Sequence, residues 1–192
     1  FDNNTTLNAS LVTDDRKAGL FIFGQSRYRD GYDQDKDGFT DLTQMNSKTV
    51  GLHSYLKTSD YSKLSLEYHN ITDYRRGGNL LNLQPHEADV AEEAEHSING
   101  GGVNYDLFSS DYKHKVNLYT SMQSVQRKSY SGAGQDLRGY GNTNDLTYVA
   151  GGQYTYNWAK CLFMPAQFTG GAEYTYDKLH DEILGYNRNI TQ

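Results

Sequence analysis

Lys115-Val116-Asn117-Leu118-Tyr119-Thr120-Ser121-Met122-Gln123 is the stretch that decides how the chain reads. Val116, Leu118, Thr120 and Met122 alternate with Asn117, Tyr119, Ser121 and Gln123. That period of two suits a strand with one apolar and one polar face, and does not suit a helix. The same alternation recurs at Val50, Leu52, Ser54 and Leu56; at Leu64, Leu66 and Tyr68; and at Tyr148, Ala150, Gly152, Tyr154 and Tyr156. It returns at Phe168, Gly170, Ala172, Tyr174 and Tyr176, whereas Leu20-Phe21-Ile22-Phe23 is an apolar run that breaks it. Tyr, Val, Thr and Leu dominate these segments, in line with strand propensity.

Working outward, the pattern predicts about eight strands near 4–13, 17–29, 47–58, 62–75, 95–108, 113–129, 145–158 and 166–178. Thr13-Asp14-Asp15-Arg16, Thr58-Ser59-Asp60-Tyr61 and Ser109-Ser110-Asp111-Tyr112 read as tight polar turns, and Ala159 to Pro165 as a fourth short connection around Cys161. Between them lie long polar loops near 30–46, 76–94 and 130–144. Short and long connections alternating along an antiparallel meander are the signature of an up-and-down barrel with one confined and one projecting rim. The expected fold is therefore all-β: an antiparallel up-and-down meander of about eight strands, part of a transmembrane β-barrel. Tyr61, Tyr105, Phe108, Tyr112, Tyr156, Trp158 and Phe163 fall beside the short turns, where an interfacial aromatic girdle belongs. A soluble sandwich with aromatic strand ends is the competing architecture.

Composition narrows the function classes. The chain has 192 residues, one domain or a piece of one, with 17 Tyr and 19 Gly, which sets it apart from disordered sequences. A mean hydropathy of −0.81 reads as water-soluble, but a barrel wall reaches the same value because only alternate residues face lipid. The net charge of −6 supplies no basic excess for phosphates, so no nucleic-acid partner is expected. A single Cys161 excludes an internal disulfide and an all-cysteine metal site. The longest apolar run, about Gly19 to Gly24, is too short for a transmembrane helix, and Phe1 opens no signal peptide, as in a mature segment or a cut-out fragment.

Two loops carry candidate chemistry. Asp33, Asp35 and Asp37 alternate and are followed by Gly38, the D-x-D-x-D-G spacing of calcium loops, with Asp41 at the ninth position. Gln44 stands at the twelfth position, where an EF-hand has Glu, so the alternative is a solvated acidic turn. In the second loop, Pro85 suits the start of a short helix with acidic residues in its first turn. Glu92 and His96 would then share a helix face as a possible metal pair; a solvated helix, or strands continuing upward with their charges turned inward, explains the same residues. The third loop, Ser129 to Asn144, reads as a surface loop. No nucleophile elbow, zinc-protease, P-loop or dinucleotide motif occurs, and an enzyme is not expected.

Two segments resemble the barrel of a TonB-dependent outer-membrane receptor of Gram-negative bacteria. One is Tyr28-Arg29 running into Gly31-Tyr32-Asp33 and Asp37-Gly38-Phe39-Thr40. The other is Tyr74-Arg75-Arg76-Gly77-Gly78 followed by Pro85-His86-Glu87-Ala88-Asp89 and a Glu-rich stretch ending at His96. The resemblance implies that residues 1–192 are one segment of a larger receptor barrel of 22 strands around a plugged lumen. It implies cell outer-membrane localisation, lipid contact, and energised uptake of cobalamin, iron–siderophore, haem or an oligosaccharide as a small-molecule ligand. The TonB complex would act through a plug domain that this chain does not include. It also implies ligand or plug contacts at Arg75, Arg76, His86 and Glu87, and the calcium known in extracellular loops of cobalamin receptors favours calcium at Asp33, Asp35 and Asp37. The alternatives are a self-contained eight-stranded outer-membrane barrel acting as an adhesin or structural protein, and a soluble calcium-binding β module.

Overall fold

The alternating segments form nine strands rather than eight in the computed structural model, which describes residues 1–183 and 186–192. They are β1 (Asp2–Val12), β2 (Ala18–Arg29), β3 (Gln44–Ser59), β4 (Ser62–Gly78), β5 (Val90–Phe108), β6 (His114–Ala133), β7 (Tyr140–Cys161), β8 (Met164–Ile183) and β9 (Tyr186–Thr191). All lie in one sheet in chain order, each antiparallel to its neighbour, and the sheet is open, with β1 and β9 as its edges. Two 3-10 turns, Pro85–Glu87 and Leu137–Gly139, are the only helical pieces among the described residues. No described helix is long and apolar enough to cross a membrane.

Cross-strand register sorts the side chains by face. One face carries Leu7, Ala9 and Leu11, then Leu20 and Ile22, then Val50, Leu52 and Leu56, then Leu64, Leu66 and Tyr68. It continues through Val103 and Leu107, Val116, Leu118 and Met122, Leu146 to Trp158, and Phe168 to Tyr176. The other face carries Ser10, His53, Glu67, Asn104, Ser121, Gln153 and Glu173. A groove of about 560 Å³ on this polar face touches both Ser10 of β1 and Ser121 of β6, so the sheet curls around it. The polar face is the concave one.

The apolar belt covers only part of the strand length. It ends along a single register row, Asn70–Asn99–Ser124, which continues through Leu146 to Lys178. Tyr68 Oη and Asn70 Nδ2 both donate to Asn99 Oδ1, at 3.1 and 2.8 Å, along that boundary. Beyond it the outer face turns polar, with Thr72, Ser97, Gln126, Asn142 and His180. A strand crosses a bilayer in about 9–11 residues; β5 to β8, of 19 to 22 residues, extend well past one crossing.

This explains where the sequence boundaries fall short. β5 begins at Val90 rather than near 95, β6 runs to Ala133, β7 starts at Tyr140, and β8 reaches Ile183. In these extensions the apolar residues are few and do not alternate, so no period of two marks them. β9, with Asn187, Arg188 and Asn189, is unmarked for the same reason and pairs with the polar end of β8. The long connections shrink accordingly to 30–43, 79–89 and 134–139.

Burial is sparse. The accessible surface is 12840 Å², against about 9,200 Å² expected for a compact folded monomer of this mass. The buried apolar residues are Met45, Ala88, Ala91 and Tyr130, and none lies in the belt. A sandwich would cover the belt with a second sheet; the described residues form only one.

The short hairpins are locally determined. Thr13-Asp14-Asp15-Arg16-Lys17 and Ser109-Ser110-Asp111-Tyr112-Lys113 use the same device. The hydroxyl of Thr13 or Ser109 donates to Asp15 or Asp111 at 2.7 or 2.6 Å, and the amide of Lys17 or Lys113 donates to the same carboxylate at 3.0 or 3.1 Å. Arg16 and Tyr112 take the left-handed position at φ 55° and 54° that closes such turns. Tyr61 lies on Tyr112 at 5.7 Å where the β3–β4 and β5–β6 turns adjoin, and Tyr156 on Trp158 at 4.8 Å near the end of β7.

Candidate functional site

Both candidate regions lie at the rim formed by the long connections. The acidic loop is a hairpin tip whose ends are clamped by an isolated Tyr32–Leu42 bridge, Tyr32 N donating to Leu42 O at 2.9 Å and Leu42 N to Tyr32 O at 3.0 Å. Thr40 ties the loop to the end of β4, its amide donating to Gly78 O and its hydroxyl accepting from Gly78 N, both at 3.0 Å. Within the tip the carboxylates cap the backbone. Asp33 accepts from the amides of Lys36 and Gly38 at 2.7 and 2.9 Å, Asp35 from Asp37 N at 3.3 Å, and Asp37 from Phe39 N at 2.8 Å. Lys36 at φ 63° and Gly38 at φ 92° supply the tight reversal.

As the spacing predicts, Asp33, Asp35 and Asp37 converge, with one carboxylate oxygen from each within 4.8 Å of the others. Asp41 stands outside this trio and accepts from Gln34 N at 2.7 Å. The Asp37 amide lowers the Asp35 carboxyl, but desolvation and the charges of Asp37 and Asp41 outweigh it and hold Asp35 above its ordinary value. Oxygen-only donors with mutually repelling charges fit a hard cation such as calcium. The three could hold one, with backbone carbonyls or water completing the shell.

The four residues expected as ligand or plug contacts do not converge. Arg75 projects from the concave face and donates to Asp73 at 2.9 Å. Arg76 projects from the outer face and is buried, two residues before β4 ends and the 79–89 connection begins. That connection is pinned by Asn79, which accepts from Asp89 N at 3.1 Å and donates to Asp89 Oδ2 at 2.8 Å. Glu87 has a structural task there, its carboxylate capping Gln84 N at 3.0 Å. His86 Nδ1 meets Tyr140 Oη at 2.9 Å. Pro85 does start a helical turn, but a single one; Glu92 and His96 lie on β5, roughly 13 Å apart at strand spacing, and form no helical pair.

The sequence reading missed the group around Arg76. Glu93 lies 3.9 Å from it and accepts from Tyr74 Oη at 2.9 Å. Tyr130 packs on Tyr140 at 4.7 Å and donates to Asp136 O at 2.9 Å. Burial first, then the hydrogen bond to Glu93, push the Tyr74 phenol up to about 12. Tyr74, Arg76 and Glu93 share a face only because β4 and β5 pair in this register, with Arg76 opposite Glu93. No local motif announces that.

No protein-family model matches the chain, and no curated protein or solved structure matches it either.

Proposed function

We propose that this chain is a section of the wall of an outer-membrane receptor barrel that takes up a scarce, large ligand with energy from the TonB complex, delivered through a plug domain outside residues 1–192. The ligand class is cobalamin, iron–siderophore, haem or an oligosaccharide, and the chain itself is not an enzyme. One observation carries the reading: an apolar outer belt bounded by a polar register row, on a sheet whose concave face is polar. A single sheet with an uncovered apolar belt is stable in lipid and unstable in water. The polar strand extensions then stand outside the membrane with the long connections, and calcium at Asp33, Asp35 and Asp37 stiffens one of these connections. Nine strands in an open sheet favour a wall section over a self-contained barrel, since single-chain bacterial barrels close with even numbers.

The test is deletion of 79–89 in the intact receptor, with growth measured on limiting cobalamin, haem, siderophore or oligosaccharide. The expected result is loss of uptake of one of them. Undiminished uptake of all four by a receptor still folded in the membrane overturns a binding role for this rim.

A further inference from the structure

Asparagine is disfavoured in strands, yet beyond the apolar belt it recurs on the outer face of β7 and β9, and the barrel reading gives it no task. Cross-strand register gathers these residues into two adjacent rows. Gln126, Asn144, His180 and Asn189 stand side by side across β6 to β9. The next row toward the long connections is Lys128, Asn142, Glu182 and Asn187, all four exposed. The backbone groups here are taken up by strand pairing, so these amides are not the local caps that asparagine usually supplies in turns. His180 Nδ1 meets Asn189 Oδ1, and Asn189 Nδ2 donates to Asn187 Oδ1 at 3.2 Å, which fixes one end of the array.

A hollow of about 700 Å³ opens over the upper row, edged by Leu137, Tyr140 and Tyr186. The Tyr140 ring is held from two sides: it packs on Tyr130 at 4.7 Å, and its hydroxyl meets His86 Nδ1 at 2.9 Å. It still leaves 38% of its surface open. The charged residues of the lining are Lys128 and Glu182, one of each sign, so the hollow has no excess charge with which to hold a free ion. Amides that both donate and accept, set beside a fixed aromatic ring, match a neutral ligand rich in hydroxyls.

Height above the belt selects the ligand. On β7 the belt ends at Leu146, four residues from Asn142. Strand spacing makes that about 13 Å, or about 10 Å along the membrane normal at the tilt of a barrel strand. Ordinary head groups reach only about 5–8 Å beyond the hydrocarbon, so the hollow stands above them. We propose that it binds the saccharide head group of a membrane glycolipid whose acyl chains lie on the belt below. The inference rests on the barrel reading. Because the hollow is on the outer face, its ligand is not the molecule taken up through the lumen. A protein partner fits less well, since lysine and glutamate are depleted at protein interfaces.

The experiment uses the intact barrel protein, purified in detergent. Dissociation constants are measured by thermophoresis for three probes: a lipopolysaccharide carrying its core oligosaccharide, the same lipid stripped to its phosphorylated disaccharide, and the core oligosaccharide released from the lipid. The whole glycolipid is expected to bind at least about tenfold more tightly than either part, because head group and chains engage together. Asn142→Ala and Asn187→Ala each remove the hydrogen bonds of one exposed amide and should each weaken that binding about fivefold. Thr72→Ala, on the outer face of β4 away from the hollow, should leave it unchanged. Stripped lipid or released sugar that binds as tightly as the whole overturns the site, as does either asparagine variant binding like the unchanged protein, or Thr72→Ala weakening binding as much as they do. A protein that stays monodisperse in water after the detergent is removed overturns the barrel reading itself, whatever the three probes do.

Discussion

Arg75 and Arg76, adjacent in the chain, stand on opposite faces of β4, one with 57% of its side chain exposed and the other with 1%. The pleat separates them, and only the one on the outer face is buried. The two are therefore unequal in energy. Arg76 is a buried cation whose Nη1 donates to Gly77 O at 3.3 Å, with Glu93 as its counter-charge. Arg76→Ala should destabilise the rim by roughly 2 kcal/mol or more, through lost packing and an orphaned Glu93. Arg75→Ala, removing one exposed pair, should stay within about 0.5 kcal/mol. Thermal unfolding of the two variants side by side checks this; equal losses would contradict the facial assignment.

Calcium binding at the acidic tip is expected to depend on Asp35 and Asp37. Calorimetry on the intact receptor should show weakened affinity in Asp35→Ala and in Asp37→Ala, and unchanged affinity in both would remove the site. Because the Asp35 carboxyl titrates above the ordinary range, protons should compete with the cation sooner on acidification than at an isolated aspartate.

Tyr74 should be a late-ionising tyrosine. Its pKa is raised to about 12, above the ordinary value of about 10. The neutral phenol therefore contributes stability that is fully present below the ordinary pKa and is lost as pH rises through about 12. The ultraviolet difference titration between the native protein and Tyr74→Phe should show one phenolate forming near pH 12. A midpoint near the ordinary tyrosine value would mean that Tyr74 is neither desolvated nor bonded to Glu93.

The two matched hairpins offer opposite changes. Arg16→Gly relieves a left-handed residue and should stabilise the first hairpin by on the order of 1 kcal/mol. Asp111→Ala removes the acceptor shared by Ser109 and Lys113 and should fray the β5–β6 turn, seen as faster amide exchange at Lys113. The Ser109 hydroxyl first, then the Lys113 amide, hold the Asp111 carboxyl down at about 2. Its contribution is therefore present above the ordinary aspartate pKa and is lost as pH falls through about 2.

From the sequence alone the all-β meander, its antiparallel order, the short turns at Asp15, Asp60 and Asp111, and the convergence of Asp33, Asp35 and Asp37 were legible. Each is local: a strand with two unlike faces shows its period in consecutive residues, and an Asx-rich tip is built from its own carboxylates and amides. What only the tertiary structure decided is everything that depends on register. The extensions of β5 to β8 and all of β9 carry no period because their few apolar residues do not alternate, and those that are buried, Ala91 and Tyr130, are covered by contacts made across the fold. Arg76 is buried on the outer face where the pairing of β4 with β5 brings Glu93 opposite, a juxtaposition of residues 17 apart that no local pattern marks. The run Leu20 to Phe23 breaks the alternation in the sequence, and the pairing of β2 with β3 turns Phe21 and Phe23 to the concave side, Phe23 over Gly51. A side chain's face is set by parity, but which face is covered, and by what, is set by neighbours distant in the chain.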